Sequence, residues 1–129
     1  MDPGPVATGP ACPAGPDLWM REEPDGSFTV GLTREARGRI GPVAFYGPPT
    51  VGHRYAAGEP AFSIESGKWV GHLPLPAPGT VVATNEPLRG DPRPIHDDPL
   101  GEGWLFRMRP EDPAGLGRGN APPRPAADP

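Results

Sequence analysis

Prolines and glycines interrupt this chain so often that neither a long helix nor a long strand can form in it. Of the 129 residues, 23 are proline and 19 are glycine. Five prolines lie in residues 1–16 and six lie from Pro110 onward, so both ends have the composition of disordered polypeptide. We therefore predict one small folded domain at residues 17–110, between a proline-rich leader and a Pro/Gly-rich tail at residues 111–129.

The charge balance and the lone cysteine exclude several classes of protein. A net charge of -4 argues against electrostatic binding to nucleic acid, which requires a basic face. No apolar run approaches the roughly 20 residues that span a bilayer, and the first residues do not resemble a signal peptide. Cys12 cannot form an internal disulfide. We expect a cytoplasmic monomer with no nucleic-acid or membrane partner.

The middle of the chain shows the short alternating runs that are typical of β-strands. Turn residues separate these runs every 8–12 residues, which predicts a mainly β fold: a small barrel-sandwich hybrid with one short helix. The segment from Pro87 to Pro99 is predicted to form turns, and residues 27–32 a half-buried strand. The predicted strands are 18–21, 27–32, 43–46, 61–65, 69–73, 80–84 and 103–109.

One short helix is predicted after the second strand. Thr33 is a suitable N-cap residue, and Ala36 and Ile40 follow at the spacing of one helical face. Gly41 and Pro42 end the helix after about two turns, so it requires packing against the sheet to be stable.

The only lysine of the chain lies in a predicted hairpin turn. Residues 66–68 read Ser-Gly-Lys between two apolar strands, and a short loop with glycine favours a hairpin. The other eleven basic residues are arginine, which cannot replace lysine where a primary amine is required, because the guanidinium stays protonated. At an exposed tip, Lys68 is either an ordinary solvated charge or a candidate for chemical modification, and the lysine count alone does not decide between the two.

The residues around Lys68 resemble the lipoyl-attachment region of the glycine cleavage system H-protein family. In that family the lysine follows Glu-Ser and one small residue, as it follows residues 65–67 here. The resemblance extends over residues 17–109 in order. Its other matching positions are Asp17, Trp19, 29–33, Pro49, 51–52, 58–59, Leu73, Pro76, Gly79, Val81, 85–86, Leu88 and 98–105.

The resemblance implies a carrier protein rather than an enzyme. Lys68 would bear a covalent lipoyl group (lipoate) attached by a lipoate ligase or lipoyl transferase. The arm would take an aminomethyl group from glycine decarboxylase and deliver it to the aminomethyltransferase, and dihydrolipoamide dehydrogenase would reoxidise it. The hard chemistry would belong to the cofactor and the partner enzymes. The resemblance implies no catalytic residue. Glu65 would either help partners recognise the hairpin or simply be part of a solvated acidic surface.

The sequence departs from the family pattern at several positions. Gly67 and Trp69 flank the lysine where the family usually has Val and Ala, and Trp69 either alters partner fit or packs on the hairpin. His72 replaces a common Asp, and Pro42 replaces an acidic residue. The proline and glycine residues after Pro110 disfavour the C-terminal helix of the family.

These departures leave two alternatives to glycine cleavage. The chain could be a lipoate relay or a lipoyl carrier for another pathway, or it could be an unmodified binding module that keeps only the fold. Metal binding is not predicted, since His53, His72 and His96 lack ligand spacing. Neither Glu22-Glu23 nor Asp97-Asp98 suits paired acid–base chemistry, because neighbouring strand side chains point to opposite faces.

Overall fold

Two antiparallel sheets form the framework of this chain, whose computed structural model describes residues 17–115. One sheet has five strands in the order β1-β2-β8-β7-β4, and the other has three in the order β3-β5-β6. The strands are β1 (Leu18–Glu22), β2 (Phe28–Leu32), β3 (Val43–Gly47), β4 (Arg54–Tyr55), β5 (Pro60–Ser66), β6 (Val70–Pro74), β7 (Gly79–Thr84) and β8 (Phe106–Pro110).

A single apolar core lies between the two sheets. Phe62 of β5 and Phe106 of β8 meet across it in a tilted arrangement, with ring centroids 5.0 Å apart. The Tyr46 hydroxyl of β3 donates to the Leu105 carbonyl at 2.9 Å, which satisfies its polar end inside the core. Burial raises the pKa of the Tyr46 phenol, so it stays a neutral donor. The predicted mainly β barrel-sandwich hybrid is confirmed.

The second strand is more deeply buried than its alternation predicts. All five residues of β2 are buried, since Phe28, Val30 and Leu32 lie in the core and the Trp19 indole covers Gly31 on the opposite face. Its polar residue Thr29 is satisfied there, since its hydroxyl donates to Glu23 at 2.6 Å and accepts from Arg107 at 3.1 Å. The predicted strand is confirmed, but its predicted half-burial is wrong.

The predicted helix is present as α1 (Arg34–Ile40). The Thr33 side chain accepts a hydrogen bond from the Ala36 amide at 3.1 Å, as an N-cap does. Ala36 and Ile40 are buried, so the short helix is held by its packing against the core. Gly41 ends the helix with φ at 81°, a left-handed conformation that favours glycine.

The proline-rich segment predicted to form turns contains two short helical pieces. A 3-10 helix spans Glu86–Arg89, and α2 spans Arg93–Asp97. Proline lies in the first turn of each, where its missing amide costs no helical hydrogen bond. Leu88 and Ile95 are buried and anchor these pieces to the core.

The chain ends have a limited structural description. A 3-10 turn, Pro113–Gly115, follows β8 and ends the described part of the chain. Most of the predicted tail, the predicted leader and Cys12 lie outside the described residues, and the domain bounds stay a prediction. Within residues 17–115, no helix is both long and apolar enough to cross a membrane.

Candidate functional site

The hairpin of β5 and β6 presents Lys68 at its tip. The last paired residues are Glu65 and Val70, and beyond them the Ser66 amide donates to the Trp69 carbonyl at 2.7 Å. Only Gly67 and Lys68 lie between these two residues, and both are exposed. The hairpin predicted from Ser-Gly-Lys is thus present, with its lysine at the turn.

Ser66 anchors this hairpin to the rest of the domain. Its hydroxyl is buried and donates to the Ile40 carbonyl, in the last turn of α1, at 2.5 Å. The same oxygen accepts from the Lys68 amide at 3.3 Å. One hydroxyl therefore joins the helix C-terminus to the backbone of the candidate lysine, so the tip is held although it is exposed.

The aliphatic part of the lysine lies beside Gly41. A Cβ placed on Gly41 would lie 3.2 Å from Lys68 Cε and 4.0 Å from Nζ. Any larger residue would press on the lysine and would also be strained at this positive φ. The sequence indicated Gly41 only as a helix stop, and its contact with the lysine was missed because the two are 27 positions apart in the chain.

The side-chain amine of Lys68 has no partner in the described part of the chain. Within residues 17–115, Lys68 takes part in no ion pair and its side chain makes no hydrogen bond. Glu65, three residues earlier, is exposed and likewise has no ion-pair partner in that part of the chain. The structure therefore places Glu65 and the predicted attachment residue Lys68 on one hairpin without pairing them to each other.

Trp69 packs on the hairpin rather than extending into solvent. The indole is partly buried, contacts the core, and covers Gly71 so closely that a Cβ there would overlap the ring. Because Gly71 has no side chain, the bulky residue beside the lysine is accommodated without opening the turn. The packing alternative for Trp69 is the one that the structure supports.

Replacing Ser66 with Ala should weaken this anchor. The Ile40 carbonyl loses its buried donor, so we expect the free energy of unfolding to fall by about 1–3 kcal/mol. Ser63 on the same strand is the control, since its side chain makes no hydrogen bond within the described part of the chain. Chemical denaturation of both Ala variants measures the difference, and equal stabilities would contradict the anchoring role.

The other candidate groups do not assemble into a site. Among residues 17–115, no three His, Cys, Asp or Glu side chains are close enough to hold a metal ion. Glu23 is buried against Thr29 whereas Glu22 is exposed, so these two carboxylates do not share a site. His72 is exposed opposite Ser63 in β5 and faces a shallow depression of about 240 Å³.

Comparison with known proteins places this fold and hairpin in one family. The family model "Glycine cleavage H-protein" matches residues 14–118. "Glycine cleavage system H protein 5" of Aquifex aeolicus is 43% identical over 96 residues, covering 74% of this chain and 64% of the relative. The chain thus spans less than two thirds of that relative's length. The glycine cleavage system H protein of Idiomarina loihiensis is 40% identical over 98 residues, covering 76% of each.

A solved structure agrees with these sequence matches. The crystal structure of a glycine cleavage system H protein from Mycobacterium marinum superposes with a TM-score of 0.67 at 36% identity. It covers 74% of this chain and 79% of the other. The sequence relationship and the shared fold lead to the same conclusion: the chain belongs to the glycine cleavage H-protein family.

Proposed function

We propose that Lys68 is the covalent attachment site for the lipoyl group with which this chain acts in glycine cleavage. The chain is a carrier component of that system and is not itself a catalyst. The observation that carries the assignment is the free amine of the chain's only lysine, on a turn fastened to α1 through Ser66. When attached, the lipoyl group supplies a strained disulfide that can accept and release the aminomethyl group.

The residues around Lys68 leave space for the lipoyl group and for the enzyme that attaches it. Gly67 has no neighbouring atom within 4 Å of its Cβ position, so an acylating enzyme can approach the lysine from that side. The hydrogen bonds of Ser66 hold the lysine backbone, so only the flexible side chain must move into the partner's active site. A held tip reduces the ordering cost on binding.

The proposed partners are the enzymes that load and use such an arm. They are a lipoate ligase or lipoyl transferase, glycine decarboxylase, the aminomethyltransferase and dihydrolipoamide dehydrogenase. Membership in the H-protein family supports a partnership with the glycine cleavage enzymes. A cytoplasmic location is part of the proposal, in keeping with the bacterial relatives.

Intact-mass spectrometry tests the attachment. The purified chain is incubated with a lipoate ligase, lipoate and ATP, beside an established H protein as positive control. We expect a gain of one lipoyl group, since the chain has one lysine to acylate. No gain while the control is fully modified would overturn the attachment and favour the unmodified binding module.

A second assay separates glycine cleavage from a lipoate relay or another pathway. The loaded chain is supplied to glycine decarboxylase with glycine, and release of carbon dioxide from the glycine carboxyl group is followed. Turnover that depends on the loaded chain is the expected result. A chain that is loaded normally but supports no decarboxylation would instead favour the alternative carrier. The altered hairpin and the sequence after Pro110, which disfavours the C-terminal helix of the family, are the reasons for that alternative.

A further inference from the structure

Two large apolar side chains lie exposed on the three-stranded sheet, beside the lysine hairpin. Phe45 of β3 is 54% exposed and Val70 of β6 is 64% exposed. Both pair with Glu65 of β5, one from each side, so the three residues form a single row across the sheet. Strands in a sheet lie about 4.8 Å apart, and the row therefore spans about 10 Å.

A β-bulge is what turns Phe45 outward. Val43 pairs with Ser66 and Phe45 pairs with Glu65, so β3 has one extra residue, Ala44, at this point. Val43 and Tyr46 are both buried, whereas strict alternation would bury Val43 and Phe45 and expose Tyr46. The bulge thus exposes an aromatic ring that regular pairing would bury, a re-aiming typical of functional surfaces.

The next cross-strand row on the same face of the sheet consists of Gly47, Ser63 and His72, and it borders a depression. Gly47 and His72 both pair with Ser63, and Gly47 contributes no side chain. The shallow depression of about 240 Å³ lies here, and a Cβ on Gly47 would lie 3.4 Å from the Phe45 ring. Phe45 therefore lies beside a hollow large enough for an apolar side chain of another protein.

The position of this row beside Lys68 limits which protein would cover it. The side chain of Lys68 has only four methylene groups, so the enzyme that acylates it must contact the adjoining sheet surface. Glu65 lies three residues from Lys68 and Val70 two residues from it, within the same hairpin. Enzymes that meet the completed, much longer arm need not approach so closely.

Resting on the proposed attachment at Lys68, we propose that Phe45 and Val70, on either side of Glu65, form an apolar docking surface for the acylating enzyme. The complementary surface presents apolar side chains to Phe45 and Val70 and one cationic side chain to Glu65. Glu65 has no ion-pair partner within residues 17–115, and it lies between two apolar groups that would exclude water on docking. Apolar contacts around a central charge pair are typical of binding hot spots.

Acylation kinetics test this surface. The double variant Phe45→Thr/Val70→Thr keeps β-branched residues suited to strands but removes the apolar contacts. With a purified lipoate ligase, lipoate and ATP, we expect KM for the chain to rise about tenfold or more with kcat unchanged. Val51→Thr is the matched control, because Val51 is 52% exposed but lies in the turn next to β7 of the other sheet.

A competition assay measures docking without the chemical step. The Lys68→Arg chain cannot be acylated, so it should inhibit acylation of the wild-type chain by occupying the ligase. Adding Phe45→Thr and Val70→Thr to it should raise its inhibition constant by the same factor as KM. Thermal melts establish that each chain is folded. If the double variant unfolds, the single variant Val70→Thr replaces it, and we expect that variant to raise KM severalfold.

The outcomes are distinct for the two proposals. An unchanged KM and inhibition constant, an equal rise for Val51→Thr, or a fall in kcat alone overturns the docking surface while leaving attachment at Lys68 intact. A wild-type chain that the ligase does not acylate overturns the attachment and the docking surface together.

Discussion

Lys68→Arg should abolish acylation of this chain and leave its fold unchanged. Arginine keeps the positive charge and a long stem, but its guanidinium is not a nucleophile at neutral pH. Lys68 is the only lysine, so no other side chain can replace its amine. The residue is exposed and unpaired within the described part of the chain, and we expect a change in unfolding free energy within about 0.5 kcal/mol.

Two measurements on the same preparation check this result. Intact-mass spectrometry after ligase treatment should show full modification of the wild-type chain and none of the variant, and chemical denaturation should give overlapping curves. Modification that persists in Lys68→Arg would place the group elsewhere, for example at the N-terminus. A variant that fails to fold would mean that Lys68 is a structural residue.

Trp19→Ala should have the largest effect on stability. Trp19 is 1% exposed, and its indole covers the backbone of Gly31, its partner across the β1–β2 pair. A Cβ on Gly31 would lie 2.5 Å from the ring, so the contact requires glycine. The indole NH also donates to the Pro99 carbonyl at 3.1 Å, linking β1 to the segment after α2. We expect the free energy of unfolding to fall by about 3–5 kcal/mol.

This loss is a large fraction of the total, because the free energy of unfolding of a protein domain is only about 5–15 kcal/mol. The melting temperature should fall by more than about 12 °C. Trp19→Phe keeps most of the apolar area but leaves the Pro99 carbonyl without its donor. It should therefore lower the free energy of unfolding by an intermediate amount, about 1–3 kcal/mol.

Trp104→Ala is the matched control for this packing argument. Trp104 is only partly buried, and the Arg107 guanidinium lies over it, 5.3 Å from the ring centroid. Such a contact contributes about 0.5–1 kcal/mol at exposed sites. Thermal and chemical unfolding of the two Ala variants should therefore separate clearly. Similar losses would contradict the role of Trp19 as the tryptophan that fastens β1 to the domain.

The elements that depend on neighbouring residues could be predicted from the sequence. Thr33 caps α1 and Gly41 ends it, since capping is a contact within one turn of the chain. The hairpin around Lys68 follows from a glycine-containing turn between two apolar runs. The candidate site came from the lone lysine in that turn together with the resemblance of residues 17–109 to the H-protein family.

Contacts between distant segments had to come from the tertiary structure. Burial of β2 depends on β8, about 80 residues away, and the Gly41 contact with Lys68 depends on how α1 meets the hairpin. The direction of Phe45 depends on a bulge that exists only in the pairing of β3 with β5. The sequence by itself determined which short elements form and which lysine is available, because capping, alternation and turns are local interactions. Only the tertiary structure decided what covers each strand and what surrounds that lysine, because strand order and register are set by packing between segments far apart in the chain.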